Sequence, residues 1–295
     1  MPLLDKLREQ YGVGPLCSEL HIAPSTYYHC QQQRHHPDKR SARAQRDDWL
    51  KKEIQRVYDE NHKVYGVRKV WRQLLREGIR VARCTVARLM AVMGLAGVLR
   101  GKKVRTTISR KAVVAGDRVN RQFVAERPDQ LWVADSTYVS TWQGVVYVAF
   151  IIDVFAGYIV GWRVSSSMET TFVLDALEQA LWARRPSGTV HHSDKGSQYV
   201  SLAYTERLKA AKLLPSTGST GGPHDNAMAE SINGLYKAEV IHRKSWKNRA
   251  EVELATLTWV DWYNNRRLLE RLGHTPPAEA EKAYYASIGN DDLAA

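Results

Sequence analysis

Cysteine is scarce: Cys17, Cys30 and Cys84 are the whole supply in 295 residues. Three scattered thiols do not make a disulfide framework, which fits a reducing compartment. Ten prolines and nineteen glycines are too few for a collagen-like or low-complexity chain. Long apolar runs are missing as well. The longest, near residues 145–152, is the size of a strand, so no membrane span is expected. The start, Met1-Pro2-Leu3-Leu4-Asp5, lacks the basic and then apolar regions of a secretory signal. These absences point to a cytoplasmic protein. With 44% hydrophobic and 25% charged residues, the chain has the means for a packed core and about two domains.

Acidic excess is also absent. The net charge is +12, and its location is informative. Residues 1–121 hold 26 Lys and Arg against 11 Asp and Glu, a net of +15; the rest of the chain is at −3. A basic front half of this kind is the electrostatic footprint of a polyanion partner. The plain alternative is a solvated basic surface. A membrane-surface role fits less well, because the charge is not confined to one amphipathic helix.

The first thirty residues read as three short helices. Leu3, Leu4 and Leu7 mark one, residues 15–20 a second opened by Pro15, and Pro24-Ser25 opens a third, in a helix-turn-helix pattern. Residues 31–46 are polar and read as a linker. Cys30, His35 and His36 lie there without a second pair at ligand spacing, so no zinc site is expected. A second three-helix unit follows, carried by Ile54, Val57 and Tyr58, by Val67 to Leu75, and by Val86, Leu89, Met90 and Met93 up to Gly94. Arg83, Thr85 and Arg88 lie near the start of its third helix, where a helix-turn-helix enters the major groove. Residues 100–121, with Arg100, Lys102, Lys103 and Arg105, form a basic tether suited to phosphates.

From residue 130 the period becomes that of strands: 131–139, 144–153 and 157–165 predict an antiparallel meander. A helix over 168–183, a short strand at 189–193, a helix over 204–211, a Gly/Ser/Thr-rich loop at 216–223 and a helix over 226–240 follow. The tail from 249 to 285 reads as mostly helical. The fold class is therefore α/β: a mixed sheet with helices on both faces, behind all-α units.

Three acids stand apart from the others. Asp135 lies mid-strand, Asp194 ends the short strand, and Glu230 lies one turn into a helix. A carboxylate on a central buried strand is costly unless something neutralises it. If the three converge, pairs about 4 Å apart repel by roughly 4 kcal/mol at an effective dielectric of 20. Divalent cations would reverse that sign, and Mg²⁺ suits an all-oxygen site. On the same helix Asn226, Glu230, Asn233 and Lys237 share one face, opposite Met228, Ile232, Leu235 and Tyr236. The residues alone leave a second reading open, in which that face is merely solvated and Asp135 a satisfied strand residue.

The motifs Trp132-Val133-Ala134-Asp135-Ser136-Thr137-Tyr138, His192-Ser193-Asp194-Lys195-Gly196-Ser197-Gln198-Tyr199 and Asp225-Asn226-Ala227-Met228-Ala229-Glu230-Ser231 carry a resemblance. They resemble those of the transposases of the bacterial insertion-sequence IS-three family, specifically their second-reading-frame (OrfB) product, and of retroviral integrase cores. Thirty-five residues separate Asp194 from Glu230, the spacing of that group, and the likeness runs from Tyr65-Gly66-Val67-Arg68 to Gly273. The resemblance implies a ribonuclease-H-like integrase core. It implies that Asp135, Asp194 and Glu230 form an Asp-Asp-Glu triad holding two Mg²⁺, for which Mn²⁺ substitutes. It further implies cleavage and strand transfer at the terminal inverted repeats of an element, without a covalent protein–DNA intermediate.

The expected division is a helix-turn-helix-like unit at 1–35, a second DNA-binding unit at 45–100, a basic linker at 101–124, a catalytic core at 125–240 and a helical extension at 241–295. Double-stranded DNA, as terminal repeats and target, is the expected partner, with Lys195, Asn233 and Lys237 as further contacts. In the family, an upstream-frame (OrfA) product is fused or associated, the enzyme acts as a homo-oligomer on DNA, and it works at the bacterial nucleoid; no membrane is involved. Where such chains often carry a histidine after the Tyr-Asn and arginine run, this one reads Arg266-Arg267-Leu268-Leu269. Asp153, His191 and His192 are read as turn, packing or hydrogen-bonding residues, and Trp259, Trp262 and Tyr263 as core. The rivals are a catalytically inactive DNA-binding regulator of the element and a ribonuclease on RNA–DNA hybrids. Tyrosine and serine recombination lack their nucleophile and arginine cluster here.

Overall fold

The computed structural model describes residues 2–36, 39–99, 119, 123–194, 196–217 and 226–294. A single five-stranded sheet organises the back half. Strands β1 (Leu131–Thr141), β2 (Gly144–Asp153) and β3 (Tyr158–Ser165) form the antiparallel meander, and β4 (Val190–Ser193) and β5 (Leu214–Thr217) add in parallel on the other side of β1. The order is β3-β2-β1-β4-β5, so β1 is central.

Alternation along the strands supplies two cores. Val133, Val139, Val148, Phe150 and Ile152 face helices α9 (Ala227–Glu239) and α10 (Arg249–Asn265). Trp132, Ala134, Ala149, Ile151 and Val160 face α7 (Thr170–Arg184) and α8 (Leu202–Ala210). Helix α7 lies so close on β3 that a Cβ on Gly161 would stand 2.2 Å from the Ala176 carbonyl oxygen, an approach only glycine permits. On the other face Phe150, Tyr236, Trp259 and Tyr263 form a chain of rings with centroids 5.0–5.9 Å apart. Each such pair contributes about 0.5–1.5 kcal/mol beyond its buried area. Trp259, Trp262 and Tyr263 are all buried.

Among the described residues the front half holds six helices: α1 (Pro2–Tyr11), α2 (Val13–Glu19), α3 (Pro24–His35), α4 (Ala42–Glu60), α5 (Val67–Arg76) and α6 (Arg83–Val92). The first three close over a small core of Leu4, Cys17 and Tyr27. The next three bury Leu50, Ile54, Val57, Val70, Leu74, Val86, Leu89 and Met90 in a core continuous with that under the sheet. The junction is polar as well as apolar. The Tyr65 hydroxyl donates to Arg266 O (3.2 Å) and accepts from Leu268 N–H (2.8 Å). Trp262 Nε1 donates to Asn61 Oδ1 at 3.1 Å, and Arg76 pairs with Glu279 of α11 (Pro277–Ala294) at 2.6 Å.

Three local expectations are corrected. Residues 31–35 belong to α3 rather than to a linker, and α4 starts at Ala42 with Ser41 Oγ accepting from Ala44 N–H. Val13 rather than Pro15 opens α2, because Gly12 alone takes the left-handed turn that separates it from α1. Residues 214–217 form a strand where a loop was expected to begin at 216. Four residues including Pro215 give no readable alternation, and the proline is tolerated because β5 is an edge strand.

At the far end of α9, Glu239 and Arg267 are 6% and 4% exposed and form an ion pair. Trp259 Nε1 donates to Glu239 Oε2 at 3.0 Å, and the Arg267 guanidinium lies 5.4 Å from the Tyr263 ring centre. Arg267→Met strands the Glu239 charge and is expected to cost about 3–5 kcal/mol of unfolding free energy. The double variant with Glu239→Gln should recover most of that loss. Urea midpoints measure both, and a single variant that matches wild type would mean the pair is not desolvated.

Candidate active site

Asp135 sits at the point of β1 where pairing with β4 has just ended. The register sets Ala134 against Ser193, so Asp194, the residue just past the end of β4, emerges beside Asp135. Ser136 N–H donates to Asp135 Oδ1 and Asn233 Nδ2 to Oδ2, both at 2.8 Å. Burial, the negative charge of Asp194 and, more weakly, that of Glu230 push the Asp135 carboxyl up to about 7. Asp194 Oδ1 accepts from Gly196 N–H at 3.0 Å. Its carboxyl is raised by burial, although its outer surface is open to water; the Gly196 bond and His192 oppose the rise. Glu230 is exposed, in the first turn of α9.

Helix α9 is pinned to the sheet by its own amides. Asn226 Nδ2 donates to Ala134 O at 2.8 Å, and seven residues on Asn233 meets Asp135. Glu230 lies between them on the same face. Lys237, one further turn along, holds its Nζ 4.9 Å from the Tyr138 ring centre. Burial lowers its pKa and the Asp135 charge opposes the fall. The structure therefore brings Asp135, Asp194, Glu230, Asn233 and Lys237 into one electrostatic neighbourhood. Among the described residues no group of three His, Cys, Asp or Glu side chains closes to metal-holding distance; three like charges without a counter-ion have no reason to close. The donor set is all oxygen, and the side-chain oxygens of Asn226 and Asn233 are buried without a hydrogen-bond partner among the described residues. Such a set fits a hard divalent cation.

The remaining candidates separate. Asp153 is fully buried three residues along the sheet from Phe150, the partner of Asp135. Its carboxylate accepts from Asp129 N–H (2.6 Å) and Phe155 N–H (3.0 Å), so it staples the end of β2. His191 Nε2 bonds the Tyr204 hydroxyl at 3.0 Å and His192 Nδ1 the Ser216 hydroxyl at 2.9 Å. At the start of α6 Arg83 is exposed and Thr85 half-buried. Arg88, expected at the same surface, is held by both oxygens of Asp47 at 2.9 Å. Arg100, Lys102, Lys103, Arg105 and Lys195 lie outside the described residues, as does most of the loop at 216–223. The sequence reading assigned no role to Tyr199, whose buried ring lies under the Asp194 turn; only its place five residues after Asp194 hinted at one.

Comparison with known proteins adds the family. Residues 125–223 and 212–277 match integrase core domain families, and residues 45–103 match an HTH-like domain. The chain is 96% identical over its full length, and that of the relative, to the transposase for insertion sequence element IS629 of Shigella sonnei. It is 53% identical over 90% of its length to a putative transposase for IS986/IS6110 of Mycobacterium tuberculosis, covering 96% of that protein. The chain belongs to the IS-three family of insertion-sequence transposases. Membership makes the transposase an enzyme of the polynucleotidyl-transferase type, with an integrase core and a helical HTH-like domain. Among solved structures, the magnesium complex of the HTLV-2 integrase catalytic core aligns with 54% of the chain and 99% of its own. That alignment has 13% identity and a TM-score of 0.42. No helix among the described residues of the transposase is long and apolar enough to cross a membrane.

An acid that ionises near pH 7 in the fold but near 4 when unfolded is protonated preferentially in the native state. Stability then falls as pH rises through that window. The metal-free transposase is expected to melt at progressively lower temperature between about pH 4 and pH 7, and Asp135→Asn to reduce that slope, leaving the share of Asp153, whose carboxyl burial also pushes up to about 7. A variant that keeps the wild-type slope would mean that the crowding does not fall on Asp135.

Proposed function

We propose that the transposase cuts and joins DNA at the terminal inverted repeats of its element, with Asp135, Asp194 and Glu230 as the catalytic carboxylates. The observation that carries this reading is the register that sets Asp194 beside Asp135, with α9 and its Glu230 pinned to the same strand, in a field that pushes the Asp135 carboxyl up to about 7. Three carboxylates kept in one field from three separate elements are a liability unless cations are their purpose. We assign them two Mg²⁺ ions, with Mn²⁺ as a substitute. Bound there, the ions supply Lewis acidity for activating water or a DNA 3′-hydroxyl and for stabilising the leaving 3′-oxygen in an in-line displacement.

The chain's own groups do the rest. Asn233 and Ser136 N–H hold the Asp135 carboxylate in one orientation. Asn226 keeps α9, and with it Glu230, against β1. Lys237, and Lys195 as the residue next to Asp194 in the sequence, offer positive charge to the phosphates on either side of the scissile bond. No side chain forms a bond to phosphorus, so cleavage and strand transfer are one reaction with two nucleophiles. The front half holds the ends. Arg83 and Thr85 at the start of α6 read base edges, while Arg88, fixed by Asp47, supports that surface rather than reaching freely into a groove. Arg100, Lys102, Lys103 and Arg105 follow phosphates. The working division is the one read from the sequence: DNA-holding units at 1–35 and 45–100, a linker at 101–124, the core at 125–240 and the extension at 241–295. An upstream-frame product and a second copy of this chain complete the complex on DNA in the cytoplasm.

Asp135→Asn is expected to leave binding of a terminal-repeat duplex within about twofold of wild type and to abolish Mg²⁺-dependent strand cleavage. A labelled-duplex assay reads both, and undiminished cleavage would sink the assignment. Loss of cleavage also separates the enzyme from an inactive regulator, for which the substitution changes nothing. Deleting residues 1–121 is a poor test of the charge argument, because it strips Tyr65 and its neighbours from the buried junction with residues 266–268. Neutralising Lys102, Lys103 and Arg105 together is the better one. Each phosphate that the variant no longer neutralises should reduce the slope of log affinity against log salt by about 0.9 on duplex DNA. An unchanged slope would remove the tether from the binding surface.

A further inference from the structure

The turn after β4 buries a hydroxyl that the scheme above leaves unused. Tyr199 is 4% exposed, and its ring packs edge-on against Tyr204 with centroids 5.4 Å apart. Its N–H donates to Gly196 O at 3.0 Å, so the ring is anchored to the same turn whose Gly196 N–H holds Asp194. A Cβ placed on Gly196 would stand 3.0 Å from Asp194 Oδ1 and 3.5 Å from Tyr199 Cδ2. Those two side chains, with Gln198 Oε1 at 3.2 Å, flank one small space that glycine leaves open.

The phenol oxygen has no well-formed hydrogen bond among the described residues. The Ser136 hydroxyl is its one weak hydrogen-bond partner, and burial, Tyr204 and the charges of Asp135 and Asp194 raise its pKa well above the usual tyrosine value. Tyr204, buried just behind it, is satisfied by His191. An orphaned buried hydroxyl destabilises a fold, and phenylalanine would fill the same volume without the cost. Asp194 is one of the charges it faces. Among the described residues each Asp135 oxygen accepts a hydrogen bond, from Ser136 and Asn233, and Asp194 accepts through Oδ1, from Gly196.

We propose that Tyr199 is a positioning residue, whose hydroxyl donates to Asp194 Oδ2 and orients that carboxylate when a divalent cation draws the acids together. The inference rests on the triad reading above. It assigns the phenol to the ligand's support rather than to the reacting atoms, a role whose loss typically weakens metal binding or activity by about 10- to 100-fold.

The test is Tyr199→Phe in the full chain, by calorimetric titration with Mn²⁺ and by melting without metal. Tyr204→Phe and Asp135→Asn are measured in parallel. The expected result is a Mn²⁺ affinity weakened about tenfold or more for Tyr199→Phe, with a metal-free melting temperature equal to or above wild type. Tyr204→Phe, which loses a hydroxyl bonded to His191, should melt lower and bind Mn²⁺ like wild type. Cleavage by Tyr199→Phe should fall at limiting Mn²⁺ and recover at high Mn²⁺, which a purely structural defect would not do. If Asp135→Asn loses Mn²⁺ binding while Tyr199→Phe only melts higher and binds as wild type does, the inference falls and the triad stands. If Asp135→Asn binds Mn²⁺ and cleaves like wild type, the triad reading fails and the inference with it.

Discussion

Asp135 stands on the central strand of a sheet covered on both faces, where burial and two further acids hold its carboxyl near 7. Much of the surrounding structure manages that one cost. Parallel pairing of β4 with β1 delivers Asp194 alongside. The amides of Asn226 and Asn233 draw α9 onto the face of the sheet over β1 and give Asp135 a neutral donor in place of a second charge. The oxygens of those amides and the Tyr199 hydroxyl are left without partners among the described residues, so the neighbourhood is strained electrostatically and undersatisfied in hydrogen bonds at the same time. Concentrated cost of that kind is characteristic of functional sites, because only selection for chemistry retains it.

Helix α9 carries this load because it is held at both ends. Asn226 fixes its start to the Ala134 carbonyl, and the buried Glu239–Arg267 pair fixes its end. Arg267 lies between Arg266 and Leu268, the two residues that the Tyr65 hydroxyl grips from the front half. One short segment therefore joins the HTH-like helices to the helix bearing Glu230. Where related chains often have a histidine, this chain reads Leu269, while the arginine two residues earlier serves as an internal strut. The geometry ties α6 to a fixed place relative to the acids.

The front half shows how charge and placement part company. Its excess of basic residues was plain in the composition, yet Arg88 is spent on Asp47 and Arg76 on Glu279. Surface pairs of this kind contribute little stability, typically under about 1 kcal/mol, so a phosphate that outcompetes the carboxylate can still take the guanidinium.

Much of the architecture was legible in the residues. Strand alternation located β2 at its observed bounds, and the shift from helical to strand period near residue 130 marked the change from helices to sheet. The three motifs and the spacing of Glu230 from Asp194 singled out the acids, and the face shared by Asn226, Glu230, Asn233 and Lys237 follows from helical periodicity. Each motif and each shared face is local, within a turn or a strand, and local pattern is what a sequence displays; the spacing between the motifs spoke only through the family resemblance. The short edge strand β5, the true end of α3, the Arg88–Asp47 pair and the unpartnered Tyr199 were not legible. Neither was the Tyr65 grip on Leu268, made between residues 203 apart. Such pairings join segments with no common period, and only packing chooses which buried polar groups find partners and which are left facing the acids.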